Sequence, residues 1–270
     1  MTKDLTVAVA GLGAIGARVV RALDDGIPGL TLTTVSARRA DRAATFLSRL
    51  RGNPRLLPLK NLAAEADIVV ECLPPHLLAE VAMPSITNGR TLLVASAGAL
   101  LDFPDIAEDA RRHGAQIIVP SGALIGFDGL RAAAEAGLDS VRLVTRKPAT
   151  SFANRVTVNG QEINLTGLSE ARCLYAGSVR AAVAAFPVNV NVAAAVSMAG
   201  LGPKRTEIEV WADPTIENNC HTLTVTSRVG TFTVAVENLP DPENPKSSSL
   251  TAFSIIACLR RIAAPATVGS

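Results

Sequence analysis

The chain has 270 residues and a formal net charge of +2, and 48% of its residues are hydrophobic. The charges are spread without basic runs, which argues against a nucleic-acid-binding surface, and no apolar run approaches the roughly 18 residues that a membrane-spanning helix needs. The length allows one large or two modest domains, and the mean hydropathy of +0.30 indicates that part of the apolar surface is buried in a subunit interface.

An apolar strand, Leu5 to Ala10, opens the chain and leads into a glycine-rich loop and a helix rather than into a signal peptide. In this loop Gly11 permits the tight turn, Gly13 lets the backbone approach a pyrophosphate, and Gly16 lets helix and strand pack closely. The start of the helix offers unpaired N–H groups to the phosphates. The predicted dinucleotide contacts in this segment are Gly11, Gly13, Ala14, Ile15 and Gly16.

The end of the second predicted strand, Leu30 to Val35, bears on the choice of cofactor. An acidic residue here would bind the ribose 2′-hydroxyl of NAD. The chain instead reads Ser36-Ala37-Arg38-Arg39, with two guanidiniums and no carboxylate. Because arginine binds phosphate through a bidentate fork, we expect NADP to be accepted at least as well as NAD, with Arg38 as a cofactor contact. The alternative is that these arginines are solvated at the start of the next helix.

The rest of the first half alternates strands with helices, which predicts a Rossmann-type, doubly wound parallel sheet of the α/β class. One of its buried strands is predicted from Asp67 to Pro74. Ligands of such sheets bind beyond the carboxyl ends of the strands. The residues predicted to line the cofactor cleft at these ends are Leu73, Pro74, Ala97, Gly98 and Ala123. Residues 1–124 and 246–270 are predicted to form this dinucleotide-binding domain.

From about Ile125, β-branched residues alternate with polar ones between Gly-containing turns, which predicts a mostly antiparallel sheet. The predicted strands are Asp139 to Thr145, Arg155 to Val158, Thr206 to Ala212, Thr222 to Arg228 and Phe232 to Glu237. Two helices, Ser178 to Ala185 and Val190 to Ala199, interrupt this sheet. The tail, Ser248 to Ile262, has helical spacing and is predicted to pack on the first domain. Residues 125–245 would then be an inserted α+β domain for substrate binding and dimerisation.

Cysteine and histidine spacing gives no sign of metal ligation. The four cysteines form no C-x-x-C pair, so we expect reduced thiols in a cytoplasmic protein. The three histidines lack the spacing of metal ligands, and no metal site is predicted. These residues are Cys72, Cys173, Cys220, Cys258, His76, His113 and His221.

Several short motifs together resemble the L-aspartate dehydrogenase family, and those of the second half are more specific than the glycine loop. They are Gly11-x-Gly13-x-x-Gly16, Ser121-Gly122-Ala123-Leu124-Ile125-Gly126, Thr145-Arg146-Lys147-Pro148, Phe186-Pro187-Val188-Asn189-Val190-Asn191-Val192-Ala193, Asn219-Cys220-His221 and Glu243-Asn244-Pro245-Lys246. The resemblance implies NAD(P)-dependent oxidation of L-aspartate to iminosuccinate, which hydrolyses to oxaloacetate and ammonia and can supply NAD biosynthesis. It also implies a homodimer.

The same resemblance assigns site residues. The family's active-site histidine falls on His221, its cofactor-contacting alanine on Ala123, and its asparagine on Asn191, with Asn189 as the near alternative. The residue before the histidine is usually a small hydroxyl residue in the family and is Cys220 here, which would alter the polarity of the pocket.

The chemistry also favours His221, because loss of a proton from the amine and activation of water both suit a group that titrates near neutrality. The alternatives are a histidine that only makes a hydrogen bond at a strand end, and His76 as the base. The substrate carboxylates need cationic or amide partners. Lys246 is the first choice, Arg146-Lys147 and Lys204-Arg205 are other candidates, and Asn189 and Asn191 are neutral donors.

Covalent catalysis by Cys220 is excluded on geometric grounds, since adjacent residues of a strand point to opposite faces. Two other functions stay open: a dehydrogenase or reductase of another small amino or 2-oxo acid, and a non-enzymatic redox sensor that binds a dinucleotide. The second would require an effector segment for which the two domains leave no room.

Overall fold

The computed structural model describes residues 4–185, 190–241 and 244–269, and of residues 240 and 244–247 it describes the backbone alone. Within these residues the chain divides into two compact units. The first consists of Met1–Gly122 and Thr251–Gly269, and the second of Ala123–Leu250. The first unit is therefore built from two separate stretches of chain.

The first unit alternates strands and helices. Its elements are β1 (Leu5–Ala10), α1 (Ala14–Asp25), β2 (Leu30–Ser36), α2 (Ala40–Leu47), β3 (Arg55–Leu56), β4 (Ile68–Glu71), α3 (Leu78–Thr87), β5 (Thr91–Val94), α4 (Ala97–Leu100), α5 (Ile106–His113) and β6 (Gln116–Ile118), with 3-10 turns at Leu59–Ala64 and Pro75–Leu77. The strands pair in parallel in the order β3-β2-β1-β4-β5-β6. This arrangement confirms the predicted Rossmann-type sheet.

Each face of this sheet packs against its own apolar layer. The side chains of β1 alternate between the two faces and therefore contribute to both layers. Val7 and Val9 belong to a core cluster with α1 and with Ile255 and Leu259 of the C-terminal helix. Ala8 and Ala10 belong to a second cluster, formed mainly with α3 and the turn before β4. The sheet is thus buried on both sides, as parallel sheets generally are.

The second unit contains a larger share of strands. Its elements are α6 (Phe127–Ala136), β7 (Leu138–Pro148), β8 (Arg155–Val158), β9 (Gln161–Asn164), β10 (Arg172–Ser178), α7 (Val179–Ala185), α8 (Asn191–Ala199), β11 (Glu207–Asp213), β12 (Asn219–Ser227), β13 (Gly230–Asn238), β14 (Pro240–Asp241) and β15 (Asn244–Ser248), with a 3-10 turn at Ala149–Ser151. The last helix, α9 (Ser249–Ala263), begins here and continues into the first unit.

A five-stranded sheet in the order β10-β11-β7-β12-β13 forms the centre of the second unit. Its pairs are antiparallel except for β11 and β7, which are parallel. The predicted mainly antiparallel α+β fold is therefore confirmed, with one parallel pair added. The sequence pattern does not predict α6, β9 and β10, because α6 buries only a narrow face at Leu130 and Ala133 and the two strands alternate weakly.

No helix among the described residues is long and apolar enough to cross a membrane.

Candidate active-site residues

The glycine loop of the first unit, between β1 and α1, is packed tightly against backbone atoms. Gly11 has φ +100°, and a Cβ added to it would lie 2.5 Å from the carbonyl oxygen of Cys72. A Cβ on Gly16 would lie 1.9 Å from the carbonyl oxygen of Gly11. No side chain fits at either position, so the loop between β1 and α1 holds its shape only with glycine.

Gly13 differs from its two neighbours in the motif. It is the exposed N-cap of α1 with an ordinary φ of −74°, and an added Cβ would meet nothing within 4 Å. The space beside it is open, and Ala14 and Ile15 follow as the first helical residues, whose N–H groups have no intrahelical acceptor. These features fit the pyrophosphate of a dinucleotide, which binds where backbone and helix dipole face open space.

A buried carboxylate, Glu71, connects the ends of β4 and β5. Its Oε1 accepts the N–H of Leu73 at 2.6 Å, and its Oε2 accepts the N–H of Ser96 at 3.0 Å. Burial raises the pKa of Glu71, an effect that these hydrogen bonds oppose. The contact also explains why β4 stops at Glu71 rather than at the predicted Pro74, since the Leu73 N–H bonds to a side chain instead of a neighbouring strand.

Through these two hydrogen bonds Glu71 holds the segments that follow β4 and β5, and both segments carry predicted cofactor residues. Leu73 is half-buried and Pro74 is exposed, whereas Ala97 and Gly98 are buried at the start of α4. The register pairs Ala10 with Glu71 and Glu71 with Val94, so these loops leave the sheet at the same edge as the glycine loop. Sequence reasoning missed Glu71, although an acidic residue that ends an apolar strand was an available signal.

Arg38 and Arg39 follow β2 at this edge, and both are exposed. Arg39 is the N-cap residue of α2. Neither side chain has an ion pair or hydrogen bond with a described residue, so both guanidiniums are available to an anion.

His221 lies in the second unit, on the covered face of the five-stranded sheet. It pairs with Thr145 of β7, and the Thr145 hydroxyl contacts its Nδ1 at 3.0 Å. Only 5% of His221 is exposed. Burial, and to a smaller extent the nearby charge of Lys147, lowers the pKa of His221 to about 4. The imidazole is therefore neutral at physiological pH, whereas the proposed chemistry predicts a group that titrates near neutrality.

Further polar side chains share this face, and we call the group Thr145, Lys147, Asn219, His221 and Asn238 the polar end of the sheet. All five are buried, and residues further along the same strands, such as Leu143 and Leu223, are apolar. The Asn238 amide donates to the carbonyl oxygen of Ala123 at 2.8 Å, which fixes that predicted cofactor residue within the second unit.

The remaining candidates are distributed as follows. Asn191 begins α8 and is half-buried. Cys220 contacts the carbonyl of Asn218 on the face opposite His221, and burial raises the pKa of its thiol, as strand alternation led us to expect. His76 and His113 are exposed. Asn189 and the side chain of Lys246 lie outside the described residues. Among residues 4–185, 190–241 and 244–269 there is no cluster of three or more metal-ligand side chains.

A parallel sheet with a dinucleotide-type glycine loop, joined to a unit that buries an imidazole beside an ammonium, defines an NAD(P)-dependent oxidoreductase. Comparisons with known proteins agree. A family described as "Homoserine dehydrogenase, NAD binding domain" matches residues 11–120, and one described as "Aspartate dehydrogenase, C-terminal" matches residues 128–262. The cofactor is a nicotinamide dinucleotide.

Full-length relatives specify the family. The chain is 43% identical to L-aspartate dehydrogenase 3 of Bordetella bronchiseptica, covering 99% of this chain and 98% of that protein. It is 42% identical to L-aspartate dehydrogenase of Bradyrhizobium diazoefficiens, covering 100% and 95%. The fold matches the crystal structure of aspartate dehydrogenase from Thermotoga maritima with a TM-score of 0.75, at 24% identity over 98% of this chain and 100% of that one. The chain belongs to the L-aspartate dehydrogenase family.

Proposed function

We propose that the protein oxidises L-aspartate with NADP or NAD to iminosuccinate, which hydrolyses to oxaloacetate and ammonia, and that it catalyses the reverse reductive amination. The observation that carries this proposal is the buried pair of a neutral imidazole, His221, and a lysine, Lys147, on one face of the second unit's sheet. A proton acceptor next to a cation suits an anionic amino acid, whose amine must lose a proton while its carboxylates are bound.

When bound, the cofactor supplies the hydride acceptor for the hydrogen on Cα of the substrate. His221 would take a proton from the substrate amine before the hydride leaves and release that proton to solvent. The neutral imidazole would then take a proton from the water that adds to the imine. Thr145 orients the imidazole through Nδ1, so Nε2 is the nitrogen we assign to proton transfer. The acidic pKa keeps this nitrogen unprotonated through the neutral and alkaline range.

We further propose that NADP is accepted at least as well as NAD. The exposed guanidiniums of Arg38 and Arg39, and the absence of an acidic residue between Ser36 and Arg39, support this choice. The predicted cofactor contacts in the glycine loop, at Leu73, Pro74, Ala97, Gly98 and Ala123, and at Asn191 belong to the same proposal, as do Asn189 and Lys246 as substrate ligands.

A homodimer in the cytoplasm is the assembly and location that we propose. The outer face of the five-stranded sheet carries small uncharged side chains, including Val144, Thr222 and Ala235, beside the ion pair of Arg142 with Glu209, and this mixed surface supports self-association. The four free cysteines suit a reducing compartment. Light scattering should then give twice the chain mass of 28.0 kDa. Iminosuccinate made there would be available to NAD biosynthesis.

The decisive experiment measures NAD(P)H formation from L-aspartate at alkaline pH with both cofactors. We expect His221→Ala to lower kcat by about 100- to 10,000-fold, the usual contribution of a general base, while the fluorescence titration of NADPH stays unchanged. Cys220→Ala, which alters the neighbouring residue on the opposite face, is the matched control. Absence of turnover by the wild type, despite tight cofactor binding, would refute aspartate as the substrate and direct the search to other small amino and 2-oxo acids.

A further inference from the structure

We propose that Lys147 is the residue that binds a carboxylate group of the substrate and thereby selects an acidic amino acid. This inference rests on the proposed function and deepens it. From the sequence, Lys147 is one of several candidate cations, and Lys246 is the first choice.

The position of Lys147 follows from strand geometry. It lies two residues after Thr145 on β7, so its side chain leaves the same face of the sheet as the Thr145 hydroxyl. That hydroxyl contacts His221 at 3.0 Å. Lys147 is therefore one step further along β7 from the residue that orients the imidazole, and its charge acts on His221 directly.

Burial makes this lysine unusual. Only 8% of Lys147 is exposed, and removal from water lowers its pKa to about 8. A lysine this deeply buried is rare, and here it sets a positive charge on the face of the sheet that carries His221. A carboxylate that binds beside it would relieve the unfavourable effect of the ammonium charge on a protonated His221.

The other candidate cations that the structure describes either face the opposite side of the sheet from His221 or are exposed to solvent. Arg146 precedes Lys147 and faces the opposite side of the sheet, where it pairs with Asp213 at 3.0 Å and lies 5.2 Å from the Trp211 ring. Lys204 and Arg205 are exposed. Of the candidate cations whose side chains the structure describes, Lys147 is the one on the face of His221.

Asn219 gives an independent sign that this face receives a ligand. Cys220 of β12 pairs with Arg146 of β7. Because these strands are antiparallel, the next residues along them, Asn219 and Lys147, are neighbours on adjacent strands. Asn219 is 6% exposed, and its Oδ1 has no hydrogen-bond partner among the described residues. A buried acceptor of this kind is destabilising unless a donor fills it. The substrate amine would be such a donor, next to the cation that binds its carboxylate.

The test compares Lys147→Met and Lys147→Arg with the wild type. Lys60→Met, the same change at an exposed position of the first unit, is the control. We expect Lys147→Met to raise the KM for L-aspartate by about 10- to 100-fold, as loss of a charge-assisted hydrogen bond does, with a smaller change in kcat. Lys147→Arg should recover part of the loss, and Lys60→Met should match the wild type.

A binding measurement makes the result independent of turnover. Succinate, which has two carboxylates and no amine, is titrated by calorimetry into each variant with NADP present. We expect Lys147→Met to weaken its binding by the same factor as the KM. Thermal unfolding verifies that each variant is folded, and Lys147→Arg replaces Lys147→Met if the latter is not.

The two proposals fail in different ways. If the wild type oxidises aspartate and Lys147→Met has an unchanged KM and an unchanged affinity for succinate, the role of Lys147 is refuted and the function stands. If the wild type does not oxidise aspartate, the proposed function is refuted, and the succinate titration then decides the role of Lys147 alone. If the wild type and Lys147→Met bind succinate equally, or if neither binds it, the role of Lys147 is refuted.

Discussion

The glycine loop of the first unit and the polar end of the second unit's sheet are built on opposite principles. The loop contributes backbone groups, and its residues matter for the side chains that they lack, since a Cβ on Gly16 would lie 1.9 Å from a carbonyl oxygen. The polar end contributes side chains on strands that are distant in the sequence, such as Thr145 and His221. The first can be found from sixteen consecutive residues, whereas the second exists only once strands have paired.

Gly16→Ala should break the first unit and produce the largest effect. The added methyl group cannot avoid the Gly11 carbonyl without separating α1 from β1, and overpacking of this kind costs several kcal/mol, about 3 or more. We expect a large drop in the thermal midpoint measured by far-UV circular dichroism. Gly13→Ala, whose Cβ meets nothing within 4 Å, is the matched control. Equal midpoints for the two variants would contradict the packing argument.

Glu71→Ala should weaken the same unit through a side chain. It leaves the buried N–H of Ser96 and the half-buried N–H of Leu73 without their acceptor, which costs about 1–3 kcal/mol for each group that stays unpaired away from water. Urea unfolding followed by circular dichroism, together with the dissociation constant of NADPH, would measure both consequences. Glu71→Gln, which keeps an oxygen acceptor, should lie between Glu71→Ala and the wild type.

The polar end should make the second unit sensitive to acid. His221 has a pKa near 4 in the folded state and near 6.5 when unfolded, so the unfolded state binds the proton first as pH falls. The free energy of unfolding should therefore decrease below pH 6.5, by about 2 kcal/mol at pH 5.

Trp211, the single tryptophan of the chain, lies on β11 and reports on the second unit by fluorescence. His221→Gln should remove most of this pH dependence, whereas His76→Gln, at an exposed position, should retain it. A wild-type stability that is constant between pH 7.5 and 5 would show that His221 is not buried as the structure has it.

Gly13→Ala tests the role of the glycine loop in cofactor binding, because the change should affect NADPH affinity without a large effect on folding. Its φ of −74° suits any residue, and replacing glycine by alanine at an N-cap costs under about 1 kcal/mol. The methyl group would nevertheless occupy the open space assigned to the pyrophosphate. We expect the dissociation constant of NADPH to rise about 30-fold, or about 2 kcal/mol, with little change in midpoint. Unchanged cofactor affinity would move the pyrophosphate away from Gly13.

The smallest expected effect is at Arg38. Arg38→Gln should weaken NADP by about tenfold, which corresponds to one charge-assisted contact of about 1.4 kcal/mol, and should leave NAD unchanged. The ratio of kcat/KM for the two cofactors measures this discrimination, with Arg39→Gln as the neighbouring comparison. A parallel loss for both cofactors would place Arg38 near a group that they share.

The sequence predicted elements best where one local pattern decided them. Leu5–Ala10 and Arg155–Val158 have the predicted ends, and β12 begins three residues earlier than predicted, at Asn219 rather than Thr222. That extension matters, because it places Asn219 and His221 inside the strand and on the same face. Polar residues at a strand end are typical of a loop in the sequence. Only their pairing with β7 and β13 shows that they belong to the strand.

By itself the sequence determined the glycine loop, the parallel sheet behind it and the family, because short-range motifs and hydrophobic periodicity carry this information. Through the family resemblance it also predicted His221 as the catalytic residue. The tertiary structure decided which polar groups are buried together. It placed Glu71 between two strand ends and set Lys147 rather than Arg146 on the face of His221. It also lowered the pKa of that histidine, because desolvation depends on what packs around a side chain and not on its neighbours in sequence.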